Sequence, residues 1–169
     1  MNGKLTLTMS KALQIRDYTD ENETDLIQLV RELQNHEADY YDRMIPADEI
    51  AGWYIDGIKK NCREHDGHIR IAWLNDTLIG YCATMTTVPN EEGDEVPFNY
   101  AYVNDLVIAK SARGQGVGKA LLHDAEALAR AANAKWLRIN VLAKNTVARD
   151  LYDRFGFEEH VVTMEKPLK

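Results

Sequence analysis

The sequence predicts an α/β (α+β) fold in which helices cover both faces of a mixed, mostly antiparallel sheet. The predicted elements run in the order strand, two helices, three strands, helix, strand, helix, strand. That order places an antiparallel meander before a helical crossover to a parallel strand. The 169 residues are 45% apolar and show no break in composition, which is enough for one core. We therefore expect a single domain over residues 1–169, with residues 1–12 as a flexible N-terminus.

The first predicted elements are a short strand and two helices. Leu13 to Asp17 is predicted as the strand, and Asp20-x-x-Glu23 predicts a capped start for the first helix. The second helix is expected to begin at Pro46, in its first turn, and to end at Gly67. Apolar residues at helical spacing mark the buried faces of these two helices: Leu26, Leu29, Val30 and Leu33, then Ile50, Trp53, Tyr54, Ile58 and Cys62.

The middle of the chain alternates as strands. Residues 69–73 alternate, Asn75-Asp76 turns the chain, and Thr77 to Val88 returns as an antiparallel partner. Phe98 to Ile108 is predicted as the central strand. The third helix that follows should bury one face, formed by Val117, Leu121, Ala125, Leu128 and Ala132.

The last elements are a strand, a helix and a strand. Trp136 to Val141 alternates as a strand, and Asn145 is a suitable N-cap for a helix from Thr146. Val161 to Met164 predicts the final strand.

Composition restricts the class of function. A formal charge of −7 argues against a nucleic-acid partner, since binding phosphates needs a basic face. No apolar run approaches the ~18 residues of a membrane helix, and the first residues lack a signal-peptide layout, so a cytoplasmic location is expected. Cys62 and Cys82 have no metal-ligand spacing, which predicts reduced thiols and no metal. The acidic run 91–95 is either a solvated loop or a surface that attracts a cationic partner.

The turn after the central strand is the most informative segment. Gly114, Gly116 and Gly118 remove Cβ atoms where backbone N–H groups would approach a ligand, and these groups lie at a predicted helix start that favours anions. Arg113 and Lys119 flank the turn with positive charge. The segment therefore predicts a binding site for a diphosphate.

Two well-known phosphate-binding patterns do not fit this turn. A Walker loop would need glycine at Arg113 and a hydroxyl residue at Ala120. A dinucleotide fingerprint would need a third glycine at Lys119 and an acidic residue at the end of the next strand. A nucleotide-binding protein is therefore disfavoured.

Two other patterns do fit. Arg113 to Gly118 matches Arg/Gln-x-x-Gly-x-Gly/Ala and resembles the acyl-CoA pyrophosphate loop of the GNAT superfamily of N-acyltransferases. Asn145 to Phe157 resembles the family's Asn-x-x-Ala-x-x-Leu-Tyr-x-x-x-Gly-Phe signature. Including the matching order of elements in the first half, the resemblance covers residues 13 to 168.

The resemblance implies a GNAT fold in which the central strand and the next parallel strand splay apart around the acyl-CoA arm. The backbones of Leu106, Val107 and Ile108 would pair with the pantetheine amides, as an added strand would. Asn145 would touch the same arm besides capping its helix. The turn would hold the pyrophosphate through Arg113, Gly114, Gln115, Gly116, Val117, Gly118 and Lys119.

The implied activity is transfer of an acetyl group from acetyl-CoA to a primary amine of a small molecule or peptide, directly within a ternary complex. A backbone N–H near Val107 would stabilise the thioester oxyanion. Tyr152 occupies the position of the family's general acid, or alternatively packs as a core tyrosine. No cysteine lies inside the matched motifs, so no acyl-enzyme is expected.

The general base is not fixed by the resemblance. An alkyl amine with a pKa of about 10.4 must lose a proton before it attacks. Some relatives place a glutamate where this chain has Asn104, which cannot accept a proton. Asp105 is a candidate base or a structural carboxylate, and His36 and Glu37 are candidates or solvated surface. Three tyrosines either line the acceptor pocket or pack the helices: Tyr40, Tyr41 and Tyr54.

Two questions stay open at this point. Asn104 allows a non-catalytic acyl-CoA sensor or partner subunit as the alternative function. The short segment from Glu158 to Lys169 stands where many relatives insert a further hairpin, so the acceptor site is either more open or completed by a second subunit in a homodimer.

Overall fold

The sheet and four helices predicted from sequence are present in the computed structural model, which describes residues 13–168; the predicted flexible N-terminus, residues 1–12, lies outside the described residues. The α/β fold class is confirmed. The strands are β1 (Leu13–Asp17), β2 (His68–Leu74), β3 (Thr77–Pro89), β4 (Asn99–Ile108) and β5 (Leu137–Ile139). The helices are α1 (Glu23–Ala38), α2 (Gly52–Glu64), α3 (Val117–Ala131) and α4 (Thr146–Phe155).

The strands lie side by side in sequence order. The pairs β1–β2, β2–β3 and β3–β4 are antiparallel, and β4–β5 is parallel because α3 carries the chain across the sheet. Asn75 and Asp76 make the β2–β3 turn with φ angles of 49° and 59°. Two consecutive left-handed residues match the twist of a hairpin, as the sequence predicted.

The strands β4 and β5 are in contact over only three residues. Ala101 to Val103 pairs with Leu137 to Ile139, and β4 then continues to Ile108 while β5 ends. In the part of the chain that the structure describes, the β5 side of residues 104–108 therefore has no strand beside it. This is the gap that splayed central strands require.

A β-bulge lies where the gap begins. Ala83 is opposite Asp105 and Thr84 is opposite Val103, which leaves Asn104 as the extra residue of β4. Both side chains at the bulge contact α2: Tyr54 donates to Asp105 at 3.3 Å, and Asn61 lies 3.4 Å from Asn104. Consecutive side chains thus point to one face of the sheet instead of alternating.

The buried face of α3 differs from the predicted one at its C-terminal end. Leu122 and Ala129 are buried, Leu128 is half-buried and Ala132 is exposed. The helix stops at Ala131 and the chain turns away at residue 133, where φ is 58°. The predicted stripe therefore extended beyond the real end of the helix.

The predicted start of the second helix is wrong by six residues. Pro46 precedes a single 3-10 turn (Ala47–Glu49), the chain is extended at Ile50, and α2 begins at Gly52. The break lets the Ile50 side chain enter the core at 1% exposure, while Arg31 Nε donates to its carbonyl at 3.0 Å. Burial of one isoleucine thus interrupts the helical pattern.

The other boundaries of these helices also move. The capping box lies one residue earlier than expected, at the 3-10 turn (Asp20–Asn22) that leads into the first helix, since Asn22 Oδ1 accepts from the Thr19 N–H at 3.0 Å. Glu23 instead accepts from Lys59 at 2.8 Å. The second helix ends at Glu64, three residues before Gly67. Gly67 allows the chain to pass close to the helix, because a Cβ there would lie 2.8 Å from Cys62 Cα.

The predicted last strand, Val161 to Met164, is not formed. This segment is irregular, and Val161 and Met164 are 79% and 87% exposed. Observed β5 spans only residues 137–139 of the predicted 136–141, so it offers too short an edge for another strand. The segment is held by a bidentate pair instead, in which Arg43 donates to Glu165 at 2.6 and 2.7 Å.

Among residues 13–168, no helix combines the length and apolar character needed to cross a membrane.

Candidate functional site

The glycine-rich turn joins β4 to α3. After the 3-10 turn at 110–112, Gly114 and Gly116 have φ angles of 74° and 81°, and Gly116 is the N-cap of α3. A residue with a Cβ pays a steric cost in this left-handed region. Apart from the adjacent residues of the chain, no atom lies within 4 Å of where a Cβ would stand at either glycine, so the space beside the turn is open.

The open space faces unused backbone donors. The first bond of α3 runs from Ala120 N–H to the Gly116 carbonyl at 3.0 Å. Within residues 13–168, the N–H groups of Val117, Gly118 and Lys119 have no recorded acceptor, and the first turn carries no acidic residue. Three free N–H groups at the positive end of a helix dipole favour an anion at this position.

The side chains of the turn brace it. Arg113 Nε donates to the Ile108 carbonyl at 3.2 Å, and Gln115 Nε2 donates to the Ser111 carbonyl at 3.0 Å. Arg113 and Lys119 are both exposed, so their charges border the open side of the turn. The turn is therefore shaped before any ligand arrives.

Gly118 has a different role from the other two glycines. A Cβ at this position would approach Leu151 Cδ2 at 3.0 Å and Ile108 Cγ1 at 3.8 Å. Its side-chain position is thus taken up by the packing of α3 against α4 and β4. The sequence-based expectation of close ligand approach applies to Gly114 and Gly116, whereas Gly118 permits close packing.

The free edge of β4 presents alternate backbone groups to the gap. Ala109 N–H donates to the Ile79 carbonyl at 2.8 Å. This pair lies two residues beyond the pair of Val107 with Tyr81, in the same register between β3 and β4. Bonded pairs recur every second residue in an antiparallel ladder, so Val107 bonds to β3. The N–H groups of Leu106 and Ile108 consequently point into the gap.

Asp105 lies at the end of the gap, in a network of donors. Its side chain accepts from Tyr81 at 2.7 Å, from Tyr54 at 3.3 Å and from Asn104 at 3.2 Å. Burial raises the pKa of Asp105, and the three hydrogen bonds oppose that rise. A carboxylate so enclosed is anchored, and it holds two tyrosine hydroxyls in place.

Tyr81 is a member of this network that the sequence analysis missed. It is fully buried in the apolar run of β3, at 0% exposure. A buried tyrosine hydroxyl almost always needs a partner, and that was the available signal. The partner, Asp105, is 24 residues away in sequence, and only the strand pairing brings the two together.

Glu37 lies near the same network, at the end of α1. Its side chain is half-buried, and its pKa is raised by burial first and by the charge of Asp105 second. Neither an ion pair nor a hydrogen bond to its carboxylate is recorded among the described residues. The neighbouring His36 has its pKa lowered, by burial first and then by Arg113, and its ring packs edge-on against Tyr40 with centroids 5.2 Å apart.

Tyr152 projects from α4 toward this cluster. Its ring packs against Phe157, with centroids 5.8 Å apart, and its side chain is half-buried. Burial is the main cause of its raised pKa, followed by the charges of Cys82 and Glu37. The hydroxyl has no hydrogen-bond partner among residues 13–168, and it is not sealed from solvent.

Asn145 starts α4. Its side chain is 8% exposed and accepts from the Ala148 N–H at 3.1 Å. The predicted N-cap is thus present.

The predicted residues therefore gather at two ends of one gap. The glycine-rich turn lies at one end; Asp105, Glu37, Tyr54 and Tyr152 lie toward the other. Tyr41 is apart from them and stacks under Arg43 at 4.4 Å. No group of three metal-ligating side chains occurs in the described part of the chain.

Comparison with known proteins gives a consistent result. The acetyltransferase (GNAT) family profile matches residues 27–157. A protein from Methanocaldococcus jannaschii that is named as an uncharacterised N-acetyltransferase is 27% identical over 154 residues, covering 90% of this chain and 63% of that protein. The chain spans less than two thirds of the length of the curated relatives it matches.

Solved structures share the fold. A candidate acetyl transferase from Pyrococcus furiosus has 25% identity and a TM-score of 0.71, covering 93% of this chain and all of that one. The BH1408 protein from Bacillus halodurans has 14% identity and a TM-score of 0.76, covering 92% and 99%. The second likeness shows the fold alone.

Proposed function

The chain belongs to the acetyltransferase (GNAT) family, and from that premise we propose that it transfers an acetyl group from acetyl-CoA to a primary amine within a ternary complex. The observation that carries the proposal is the open edge of β4 beside the free N–H groups at the start of α3. No metal takes part in the proposed reaction. The substrates are acetyl-CoA and an amine of a small molecule or peptide.

Acetyl-CoA fits the two halves of the gap. The diphosphate would accept hydrogen bonds from the first N–H groups of α3, with Arg113 and Lys119 adding positive charge. The pantetheine amides would pair with the free edge of β4 as an added strand does. Asn145, already used as an N-cap, borders the arm.

The free edge also supports the transition state. As the amine nitrogen attacks the thioester carbon, negative charge develops on the carbonyl oxygen. The Leu106 N–H points into the gap next to the bulge, whereas the Val107 N–H is bonded to β3. We therefore assign the oxyanion donor to Leu106, one residue from the expected position.

Glu37 is the better candidate for the proton acceptor. Asp105 already accepts three hydrogen bonds, while the Glu37 carboxylate has no recorded partner in residues 13–168 and has a raised pKa. A base with a raised pKa retains its proton more readily after taking it from the amine. Asp105 then acts through its charge and by orienting Tyr54. As a direct base, Asp105 stays a prediction.

Tyr152 supplies the other proton. When the C–S bond breaks, the CoA thiolate needs a proton, and the raised pKa of Tyr152 keeps its phenol protonated until then. Its hydroxyl has no competing partner among the described residues. The amine proton thus ends on Glu37 and the Tyr152 proton on sulfur.

The first test is release of CoA thiol from acetyl-CoA with a panel of aminoglycosides, polyamines, amino acids and peptides. Acceptor-dependent release would establish the transferase. Y152F should lower kcat about 100-fold with an unchanged Kd for acetyl-CoA, because one general acid contributes about that factor. E37Q should lower kcat/KM and remove the acidic limb of its pH profile.

Controls separate these roles from a loss of folding. Y41F changes a tyrosine that stacks under Arg43, apart from the site, and should leave kcat unchanged. Acetyl-CoA binding without release for any acceptor would favour the alternative, a non-catalytic acyl-CoA sensor or partner subunit, for which Asn104 is the motivating residue. Absence of acetyl-CoA binding would contradict both.

A further inference from the structure

Arg138 of β5 is held in an unusual setting for a half-buried arginine. Its guanidinium lies 4.2 Å from the ring centroid of Tyr100 and 5.5 Å from that of Phe98. Its Nη2 atom is 3.3 Å from His160 Nε2. Among residues 13–168, no carboxylate comes within the 4.0 Å that defines an ion pair with it. Stacking on these rings orients the guanidinium of Arg138, and its N–H groups make no ion pair with an acidic side chain of the described residues.

The position of Arg138 connects it to the proposed reaction centre. Arg138 is in register with Tyr102, and Tyr100, Tyr102 and Asn104 share one face of β4. Asn104 contacts α2 through Asn61, so this face is the one on which α2 lies. Arg138 and Asp105 therefore lie along the same side of the sheet.

A cavity lies at the Arg138 end of this face. It has a volume of about 290 Å³ and includes Arg138, Tyr100, and His65 from the end of α2 in its lining. Glu91 and Glu92 also line it; both are exposed. These two carboxylates are the groups with which an incoming anion would compete.

We propose that Arg138 binds a carboxylate of the acceptor, so that the transferase selects acidic, peptide-like amines. This inference rests on the proposed function and identifies its substrate class. A stacked guanidinium loses little freedom on binding, and its planar fork matches a carboxylate. The net charge of −7 disfavours the approach of an anionic substrate, and a positively charged contact such as Arg138 offsets that repulsion.

The strand geometry sets the length of the acceptor. Tyr102, opposite Arg138, and Leu106 pair with β3 residues that are three positions apart, because Asn104 between them is the extra residue of the bulge; three steps are roughly 10 Å at about 3.3 Å per residue. The attacking amine would lie near Leu106, so amine and carboxylate should be on the order of 10 Å apart. A free α-amino acid is too short. A peptide whose third residue is acidic fits, since each extended residue spans about 3.5 Å.

The experiment compares two peptides that differ in one charge, Ala-Ala-Glu-Ala-amide and Ala-Ala-Gln-Ala-amide. Binding is measured by calorimetry with the CoA-saturated protein, and acetylation by thiol release from acetyl-CoA. The wild type should bind the Glu peptide about tenfold more tightly, the size expected for hydrogen bonds to a charged group. R138Q should abolish the preference, and R138K should retain only part of it.

Further variants make the result specific. R130Q removes an arginine of α3 that pairs with Glu126 and does not line the cavity, and it should keep the full preference. The double variant E91Q/E92Q should strengthen binding of the Glu peptide, since it removes the competing carboxylates.

The outcomes distinguish this inference from the proposed function. Equal binding of the two peptides, no binding of either at millimolar concentration, or a preference that survives R138Q would overturn the role of Arg138 even if other amines are acetylated. A preference lost in R138Q supports it even if turnover is slow. Failure of every amine in the panel to release thiol would count against the transferase instead.

Discussion

Removal of the Tyr81 hydroxyl should destabilise the protein in a pH-dependent way. Tyr81 is fully buried and donates to Asp105 Oδ2 at 2.7 Å, whereas Tyr54 and Asn104 both reach Oδ1. Y81F therefore leaves Oδ2 without a donor. Losing a hydrogen bond to a buried charge costs about 2 kcal/mol, which corresponds to a fall in Tm of roughly 4–8 °C for a chain of this size.

The pH dependence follows from the direction of the pKa effect. The Tyr81 hydrogen bond lowers the pKa of Asp105 against the rise caused by burial. The stabilisation it gives is therefore present above that pKa and is lost as the pH falls through it. Thermal unfolding of wild type and Y81F from pH 8 to pH 4 should show the Tm difference shrinking on acidification.

Two neighbouring tyrosines serve as controls for Y81F. Y54F should cost less, because Asn104 still donates to Oδ1. Y102F alters a half-buried tyrosine with no hydroxyl bond recorded in residues 13–168 and should change Tm little. A Y81F protein as stable as wild type at pH 8, or a deficit that grows at low pH, would refute the reasoning.

Three further substitutions have expected outcomes that differ in kind. The Cβ introduced by G80A would lie 2.6 Å from the Val107 carbonyl and force β3 and β4 apart at a cost of about 3 kcal/mol. G80A should therefore lower Tm by roughly 6–12 °C. A normal Tm would show that the strands can move apart without that cost. G116A should lower the free energy of unfolding by about 1 kcal/mol and weaken acetyl-CoA binding, because the φ angle of Gly116 is 81°. G93A, in an open loop, is the control, and calorimetry should show neither stability nor binding changed. N145A should remove the cap of α4 and lower Tm by roughly 2–4 °C; an unchanged melting curve would mean that the cap contributes nothing.

The order of strands and the glycine-rich turn could be predicted from sequence because both depend on local chemistry. Asn75 and Asp76 adopt left-handed conformations that specify a hairpin, and Gly114 and Gly116 adopt the positive φ angles that a turn into a helix needs. Neighbouring residues are sufficient to recognise such features.

The errors arose where distant parts of the chain decide the structure. Ile50 leaves the helical pattern to fill the core, which the periodicity of residues 46–62 could not show. Val161 to Met164 has strand-forming residues, but β5 is too short to pair with them. The partner of Glu165 is Arg43, 122 residues away.

The sequence motifs of the candidate site could be predicted, but the surroundings of its two carboxylates could not. The turn and Tyr152 lie in short patterns with fixed spacing. Which carboxylate is enclosed and which is free depends on how α1 and α2 pack on β4. Asp105 is surrounded by donors from three elements, and Glu37 is left with its carboxylate unpartnered among the described residues.

The bulge at Asn104 divides β4 into two halves with separate duties. Before it, Tyr100 and Tyr102 face α2; after it, Ile108 and its neighbour Leu106 face α3 and the gap. Deleting Asn104 would restore plain alternation without changing the face that either half presents, and it would remove the side chain that contacts Asn61 and donates to Asp105. One extra residue thus gives Asp105 a polar neighbour on its own face, while the surface that would sort acceptors and the edge that would hold acetyl-CoA keep their orientation. Its loss is therefore the smallest change that could alter the surroundings of the carboxylate and leave both of those surfaces in place.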